Sequence, residues 1–334
     1  MTADQPAGPL GELVLARETV DRATERRSDH AWLERTWADP DTRVLVVHRG
    51  RALIRVVEGR AALVFVSPAE APEGVRFLLG VETIDAGEVV YYGVSGPIEG
   101  APDTPPEARG TGPGRAAPEH DSTPRPLSLR EAGSLLDDRD AGLMTHAVAL
   151  ANWHDTHTHC PIDGTPTVVN PSGHSTTCPA DGTEHFPRTD PAVIMLVTDA
   201  EDRCLLARNK AWPEHRVSIL AGFVDPGESA EHAVIREVHE ECGITVDQVT
   251  YLGSQPWPLP RSLMLGFRCR AVGDLTFHVD ADEITEAHWY SRDELIRVLK
   301  AGELALPPAV SIARRIIESW YGSELPDGAS AWLR

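Results

Sequence analysis

The chain is short of lysine, of cysteine and of long apolar runs, and each shortage removes a class of protein. Lys210 and Lys300 are its only lysines, and 31 basic residues face 51 acidic ones for a formal charge of −20. So negative a protein has no general attraction for nucleic acid, whose non-specific binding rests on Lys and Arg at phosphates. A phosphate-bearing substrate would need divalent cations to offset the repulsion locally. The five cysteines, Cys160, Cys178, Cys204, Cys242 and Cys269, are an odd number in 334 residues. That argues against a disulfide framework and for a reducing cytoplasm. No apolar run reaches about 18 residues, so no membrane span is expected. Met1 to Leu10 is polar and lacks a basic segment followed by an apolar one, so no secretory signal is expected.

What is present suits a globular chain of two or three compact units. Hydrophobic residues at 41% and charged ones at 25% are ordinary for that class. Residues 1–99 read as a mostly-β unit, with short β-branched runs at Val44–Val47, Ala52–Val57, Ala61–Val66 and Val89–Val94. Residues 100–126 hold seven prolines (Pro102, Pro105, Pro106, Pro113, Pro118, Pro124, Pro126) and read as a linker. Residues 127–155 read as a helical connector: Leu127 to Asn152 is helical, with Leu135, Leu136, Leu143, Val148 and Leu150 on one face. In 156–190, Cys160-Pro161-Ile162-Asp163-Gly164 recurs as Cys178-Pro179-Ala180-Asp181-Gly182.

Residues 191–322 carry an α/β pattern. Ala192–Thr198 and Arg203–Arg208 predict a hairpin around Asp199–Asp202, and Gln248–Ser254 and Leu263–Val272 predict strands. Ser291 with Glu294 predicts a capped helix through Lys300 that stops near Gly302, and a last helix is expected over 311–321, before Gly322.

The densest signal is residues 222–244, GFVDPGESAEHAVIREVHEECGI, with a helix expected over 229–242. Gly222, Glu228, Arg236, Glu237, Glu240, Glu241 and Gly243 with aliphatic Val238 and Ile244 fit the Nudix box at every specified position. Chance would produce that match about once in 10⁹ start positions. On a helix, i, i+3 and i+4 share a face, so Glu237, Glu240 and Glu241 project together, with Ala233, Val238 and Ile244 able to pack beneath. Carboxylates in that pattern suit Mg²⁺ or Mn²⁺, which keep water and substrate phosphates in their shell. Such cations neutralise a diphosphate and lower the pKa of a bound water. Gly222 and Gly227 let the preceding loop bend close, and Gly243 ends the helix in a left-handed cap.

Residues 254–262, Ser254-Gln255-Pro256-Trp257-Pro258-Leu259-Pro260-Arg261-Ser262, closely resemble the SQPWPFPxS array of NADH pyrophosphatases, the NudC-type Nudix family. Leu259 is the one departure, where the family usually has Phe. The alternating prolines predict an extended segment that projects Gln255 and Trp257. The resemblance spans roughly residues 127–321 and, more loosely, the N-terminal unit. It implies an α/β (α+β) chain: a Nudix fold, with a mixed sheet sandwiched by helices, after a degenerate zinc-ribbon-like segment and a mostly-β N-terminal domain.

It further implies hydrolysis of NADH, and less selectively NAD⁺, to the nicotinamide mononucleotide and AMP. Removal of NAD caps from RNA is a related activity. By position, Glu237, Glu240, Glu241, Glu283 and the Ala221 carbonyl would hold Mg²⁺ or Mn²⁺, and one of the box glutamates would take the proton of the attacking water. Arg236 would orient Glu228. The dinucleotide site would be lined by Gln255, Pro256, Trp257, Pro258, Leu259, Pro260, Arg261 and Ser262, with Ala313 and Arg130 contacting substrate. Phe223 would stack on the nicotinamide and Phe186, where the family has a Tyr, would complete the sandwich across a homodimer interface. Core packing is the alternative for both phenylalanines.

The family's two knuckles hold one structural Zn²⁺ by four cysteines. Here Asp163 and Asp181 stand where the second cysteines would be. Zinc held by Cys160, Asp163, Cys178 and Asp181 is one reading. Zinc recruiting one of His154, His157, His159, His174 or His185 is another. Loss of the metal with retention of Asp-Gly turns is the third. Two rival functions stay in view. One is a Nudix diphosphatase for another derivative such as ADP-ribose, against which the 255–262 array speaks. The other is a non-catalytic Nudix ligand sensor, against which the complete carboxylate set speaks.

Overall fold

Strands form here where β-branched runs can be buried on both faces. The computed structural model describes residues 8–102 and 123–326. Pro105, Pro106, Pro113 and Pro118, and with them most of the expected linker, lie outside the described residues. After helix α1 (His30–Trp37) come β1 (Arg43–His48), β2 (Arg51–Val57), β3 (Arg60–Leu63), β4 (Val75–Ile84), β5 (Gly87–Ser95) and β6 (Arg125–Ser128). They build one sheet, β3-β2-β1-β5-β4, with β6 on β2. Only β1 and β5 pair in parallel. Along β1 the side chains alternate between two cores: Val44 packs with Trp32 and Leu33 of α1, and Leu45 and Val47 pack on the other side.

Three sequence expectations need correction in this part. The segment Leu127–Asn152 is not one helix. It opens as the end of β6, makes a single turn α2 (Leu129–Ala132), breaks at residues 133–137, and restarts as α3 (Asp138–Thr156). Asp137 caps the restart, its side chain accepting the Asp140 N–H. Leu135 falls in the break and is exposed instead of sharing a face with Leu143 and Val148. Pro126, read as linker, is in β6, an edge position that proline tolerates. The sequence reading also missed β4 and α1; Gly80 interrupts β4 with a register shift, which hides the alternation.

The middle segment is a small antiparallel sheet of β7 (Val168–Val169), β8 (Thr176–Thr177) and β9 (Glu184–His185). The last unit holds β10 (Asp190–Thr198), β11 (Cys204–Asn209), β12 (Leu220–Phe223), α4 (Ala230–Cys242), β13 (Thr245–Trp257), β14 (Ser262–Val272), β15 (Ile284–Tyr290), α5 (Arg292–Ala301) and α6 (Ile312–Tyr321). Its sheet runs β13-β14-β10-β11-β15, with β12 on β10. The sheet is mixed because β10 and β14 are parallel. Val193, Met195 and Val197 pack with Val234 and Val238 of α4, whereas Ile194 and Leu196 pack with residues of α5 and α6. The expected sandwich of a mixed sheet between helices is what forms.

Candidate active site

Helix α4 is positioned by both its ends. Ser229 caps the start, accepting the His232 N–H at 3.2 Å, and Gly243 ends it at φ 72°. Ala233, Val234, Val238 and Cys242 are buried against the sheet. The three box carboxylates do not project as one set. Glu241 follows the buried face and is 6% exposed, whereas Glu240 points out and Glu237 lies between them.

Arg236 organises the outer pair. Its guanidinium donates to Glu228 at 2.8 and 2.9 Å, to Glu237 and Glu240 at 2.9 Å each, and to the Phe223 carbonyl at 2.9 Å. Arg236 thereby pulls the Glu228 carboxyl down to about 2. Gly222 explains how close the loop comes: a Cβ there would lie 1.9 Å from Glu237 Cδ. The Glu241 carboxylate has no hydrogen-bond or ion-pair partner among the described residues. Burial, then the charges of Glu237, Glu283, Asp280 and Glu240, push it up to about 8. Burial likewise raises Glu237.

The loop before β15 is tied to the end of α4. The His278 and Asp280 N–H groups donate to the carbonyls of Cys242 and Glu241 at 2.9 and 3.1 Å. This satisfies two orphan acceptors of the helix and brings Glu283 within electrostatic reach of Glu237 and Glu241. Asp280 joins the same field. The sequence reading missed it, although the acidic run 280–283 was a visible signal.

The array at 254–262 is a hairpin, not a free extended segment. β13 continues through Trp257, residues 258–261 turn, with a cis Leu259–Pro260 bond, and Ser262 opens β14. Gln255 is fully buried rather than projecting, because its Nε2 donates to the Val310 carbonyl at 3.1 Å and its Oε1 accepts the Leu15 N–H at 3.4 Å. Pro258 and Leu259 are also buried; Pro260 is exposed, and Pro256, Trp257, Arg261 and Ser262 are partly so. Asn152 Nδ2 donates to the Pro258 and Pro260 carbonyls, and Arg261 pairs with Asp190 at 2.8 Å. The guanidinium of Arg130 lies 5.2 Å from the Trp257 ring centroid, which brings it against the array.

Ala313 is a correction: at 2% exposure, with its N–H donated to Ser311 Oγ, it offers no side-chain surface to a ligand. Phe186 and Phe223 are 65% and 59% exposed, which removes core packing as their explanation. Ala221, exposed on β12, pairs with Ile194 of β10.

The repeated knuckles superimpose bond for bond. Gly164 and Gly182 N–H groups donate to the Cys160 and Cys178 carbonyls at 2.9 Å, and Asp163 and Asp181 accept the Thr165 and Thr183 N–H groups. Cys160, Cys178 and Asp163 bring ligand atoms within 4.8 Å of one another, the only such group of three among the described residues. Asp181 is not part of it, and neither are the histidines. His154 and His174 are engaged with the carbonyls of Gly173 and Leu78 instead.

Residues 188–314 match the NUDIX domain, 155–186 the NADH pyrophosphatase zinc ribbon domain, and 41–153 the NADH pyrophosphatase-like rudimentary NUDIX domain. Over 322 residues, 93% of this chain and 95% of its relative, the sequence is 41% identical to the NAD-capped RNA hydrolase NudC of Mycobacterium bovis. This chain belongs to the NADH pyrophosphatase family of Nudix hydrolases. The NudC of Mycobacterium tuberculosis is 40% identical over the same span. The mitochondrial NAD(P)H pyrophosphatase of Mus musculus is 38% identical over 208 residues, 58% of each chain.

For a Nudix hydrolase the metal question falls on the residues themselves. A buried carboxylate without a cation partner, surrounded by other carboxylates, fits a hard divalent ion that neutralises several oxygens at once. The ribbon fits its ion less well. Structural zinc takes a closed set of four donors; here Cys160, Asp163 and Cys178 converge within 4.8 Å, and Asp181, which accepts the Thr183 N–H, reaches the Cys178 thiol without joining that group. Cys204, Cys242 and Cys269 are buried thiols whose pKa values burial raises, so they belong to the core. Among the described residues no helix is long and apolar enough to cross a membrane.

Proposed function

We propose that this chain cuts the diphosphate of NADH, and less selectively of NAD⁺, to the nicotinamide mononucleotide and AMP, and that it removes NAD caps from RNA by the same cut. The observation that carries the reading is the 41% identity across nearly the whole of a NAD-capped RNA hydrolase, in a chain that keeps every box position and all but one position of the array.

Glu237, Glu240, Glu241, Glu283 and the Ala221 carbonyl hold Mg²⁺ or Mn²⁺, which when bound neutralises the diphosphate and acidifies the attacking water. Arg236 fixes Glu237 and Glu240 and is itself fixed by Glu228, so the outer carboxylates are set before substrate arrives. One of the box glutamates takes the proton of the water. Phe223 offers an exposed ring for the nicotinamide, and Phe186 of a second copy closes on it in a homodimer. Arg130 and the exposed part of the array bound the rest of the dinucleotide. The enzyme works in the cytoplasm, where five free thiols persist. In the ribbon, the knuckle turns stand on their own hydrogen bonds and zinc is held weakly or not at all.

The test is turnover of NADH, NAD⁺, ADP-ribose and NAD-capped RNA side by side, with Mg²⁺ and with Mn²⁺. Preference for NADH and capped RNA is the expected result. A higher kcat/KM for ADP-ribose would overturn the substrate assignment, and no turnover of any of them would revive a sensor.

A further inference from the structure

A polar cavity of about 400 Å³ opens near the ends of β10 and β14, lined by Arg268, Arg270, Arg292 and Trp320. On β14, Phe267, Cys269 and Ala271 belong to the core under α4. By strand alternation Arg268 and Arg270 therefore face the opposite side of the sheet. The cavity is also displaced lengthwise. Gly222 is aligned through Val193 with Leu265, five residues before Arg270, or roughly 17 Å of strand. It is a different place from the carboxylate site.

Arg292 is already committed, to Asp202 at 2.6 Å and to the Trp320 carbonyl at 2.8 Å. Arg268 and Arg270 are not: among the described residues neither makes a hydrogen bond from its guanidinium or an ion pair. Asp247 lies directly across the ladder from Arg270 and Asp202 stands on the rim, yet neither pairs with the two arginines. Two adjacent unpaired guanidiniums are notable in a chain with 20 more acidic than basic residues. Such forks recognise phosphate oxygens bidentately. Thr198, Gln248, Thr250 and Ser319 add hydroxyl and amide groups to the wall. The volume lies within the range of small-ligand pockets. Trp320 does not serve as a stacking platform, because it is buried and Arg292 covers its ring at 4.6 Å.

We propose that this cavity binds a phosphate group of a nucleotide-type ligand, with Arg268 and Arg270 as its anchors. The phosphate can come from a free mononucleotide or from one position along an RNA strand. The test measures equilibrium binding of AMP, inorganic phosphate and an uncapped RNA decamer to the full chain under chelator, for the parent and for the double variant Arg268→Gln, Arg270→Gln. Both positions are exposed, so the variant should melt with the parent. Binding of at least one probe is expected to weaken about tenfold or more in the variant, while NADH turnover stays unchanged. Weakening with AMP identifies a free nucleotide and weakening with RNA alone identifies a phosphodiester. Binding that ignores both substitutions would overturn the proposal, as would a parallel loss of NADH turnover, which would place the arginines in the active site. The binding arm decides even if the parent does not hydrolyse NADH.

Discussion

Gly222→Ala tests the carboxylate site with a single methyl group. Gly222 pairs with Val193 in the β10–β12 ladder, so its backbone is held. Its φ is not in the left-handed region, so alanine brings no backbone strain. The new Cβ would lie 1.9 Å from Glu237 Cδ and 2.1 Å from both carboxylate oxygens. Because the ladder cannot retreat, the carboxylate must swing away and leave its 2.9 Å pair with Arg236. Only the tip of a flexible side chain moves, so stability falls by roughly 1 kcal/mol, the low end for overpacking. That is a melting shift of roughly 2–4 °C. Activity responds far more, since a 1 Å misplacement at a reacting centre costs about 10²-fold. The expected outcome is a kcat for NADH about 100-fold lower with an almost unchanged melting curve, followed by AMP release and circular dichroism. Gly227→Ala is the control: its φ of 88° disfavours alanine, but nothing lies within 4 Å of the added Cβ. A Gly222→Ala kcat within about threefold of the parent, roughly 0.6 kcal/mol, would refute the assigned role of Glu237.

Glu241→Gln should abolish turnover and leave the fold intact. Below pH 4.5, the ordinary value, the Glu241 carboxyl is protonated folded and unfolded alike; between there and about 8 only the folded form keeps the proton. Metal-free stability therefore falls as pH rises through that window, by at most roughly 5 kcal/mol, and under chelator the variant should melt above the parent at pH 8 but with it near pH 4. Superimposed curves at pH 8 would sink that account. The histidines act with the opposite sign. Burial, outweighing the Leu78 bond, pushes His174 down to about 4, with Arg27 and Arg22 adding to it, and burial also lowers His154 and His146. Their stability is full above 6.5 and is lost as pH falls toward 4, roughly 3 kcal/mol for His174; urea midpoints at pH 7 and pH 5 should differ less in His174→Gln than in the parent. For the ribbon, dialysed protein should hold well under one zinc per chain, and metal analysis near one would sink the metal-free reading. Asp163→Cys with Asp181→Cys should raise the ratio to one.

What the sequence made legible was whatever depends on short spacing. The box helix starts and stops within one residue of expectation because Ser229 and Gly243 are local signals, and α5 and α6 are bounded by Ser291, Gly302, Ser311 and Gly322 for the same reason. Helical spacing also placed Glu237, Glu240 and Glu241 together, but it could not say that the helix would turn Glu241 inward and leave Glu240 outside. That depends on how α4 seats on the sheet. Leu127–Asn152 failed because its apolar residues fit a helical period while Asp137, a better start signal, sat inside the run. Asp280 was missed because its approach to Glu241 depends on a loop closing on the end of α4, a contact across about 40 residues of chain that no local pattern carries.

The array shows how a recognisable motif and a ligand surface can part company. Residues 255–262 were expected to share one lining role, yet Gln255 and Leu259 are buried while Pro260 faces solvent. Gln255 spends its amide on Val310 and Leu15, Trp257 packs against the N-terminal core and under Arg130, and Asn152 of α3 holds both carbonyls of the turn. Every one of those partners except Val310 precedes residue 155. A buried amide with both ends satisfied is costly to replace, since any substitute orphans two backbone groups. Gln255 and Trp257 thus hold the hairpin in place, which leaves Trp257 and Arg261 only partly exposed at its end. The N-terminal unit is then part of the hairpin's support: through Leu15, Arg130 and Asn152 it sets where β13 ends and β14 begins.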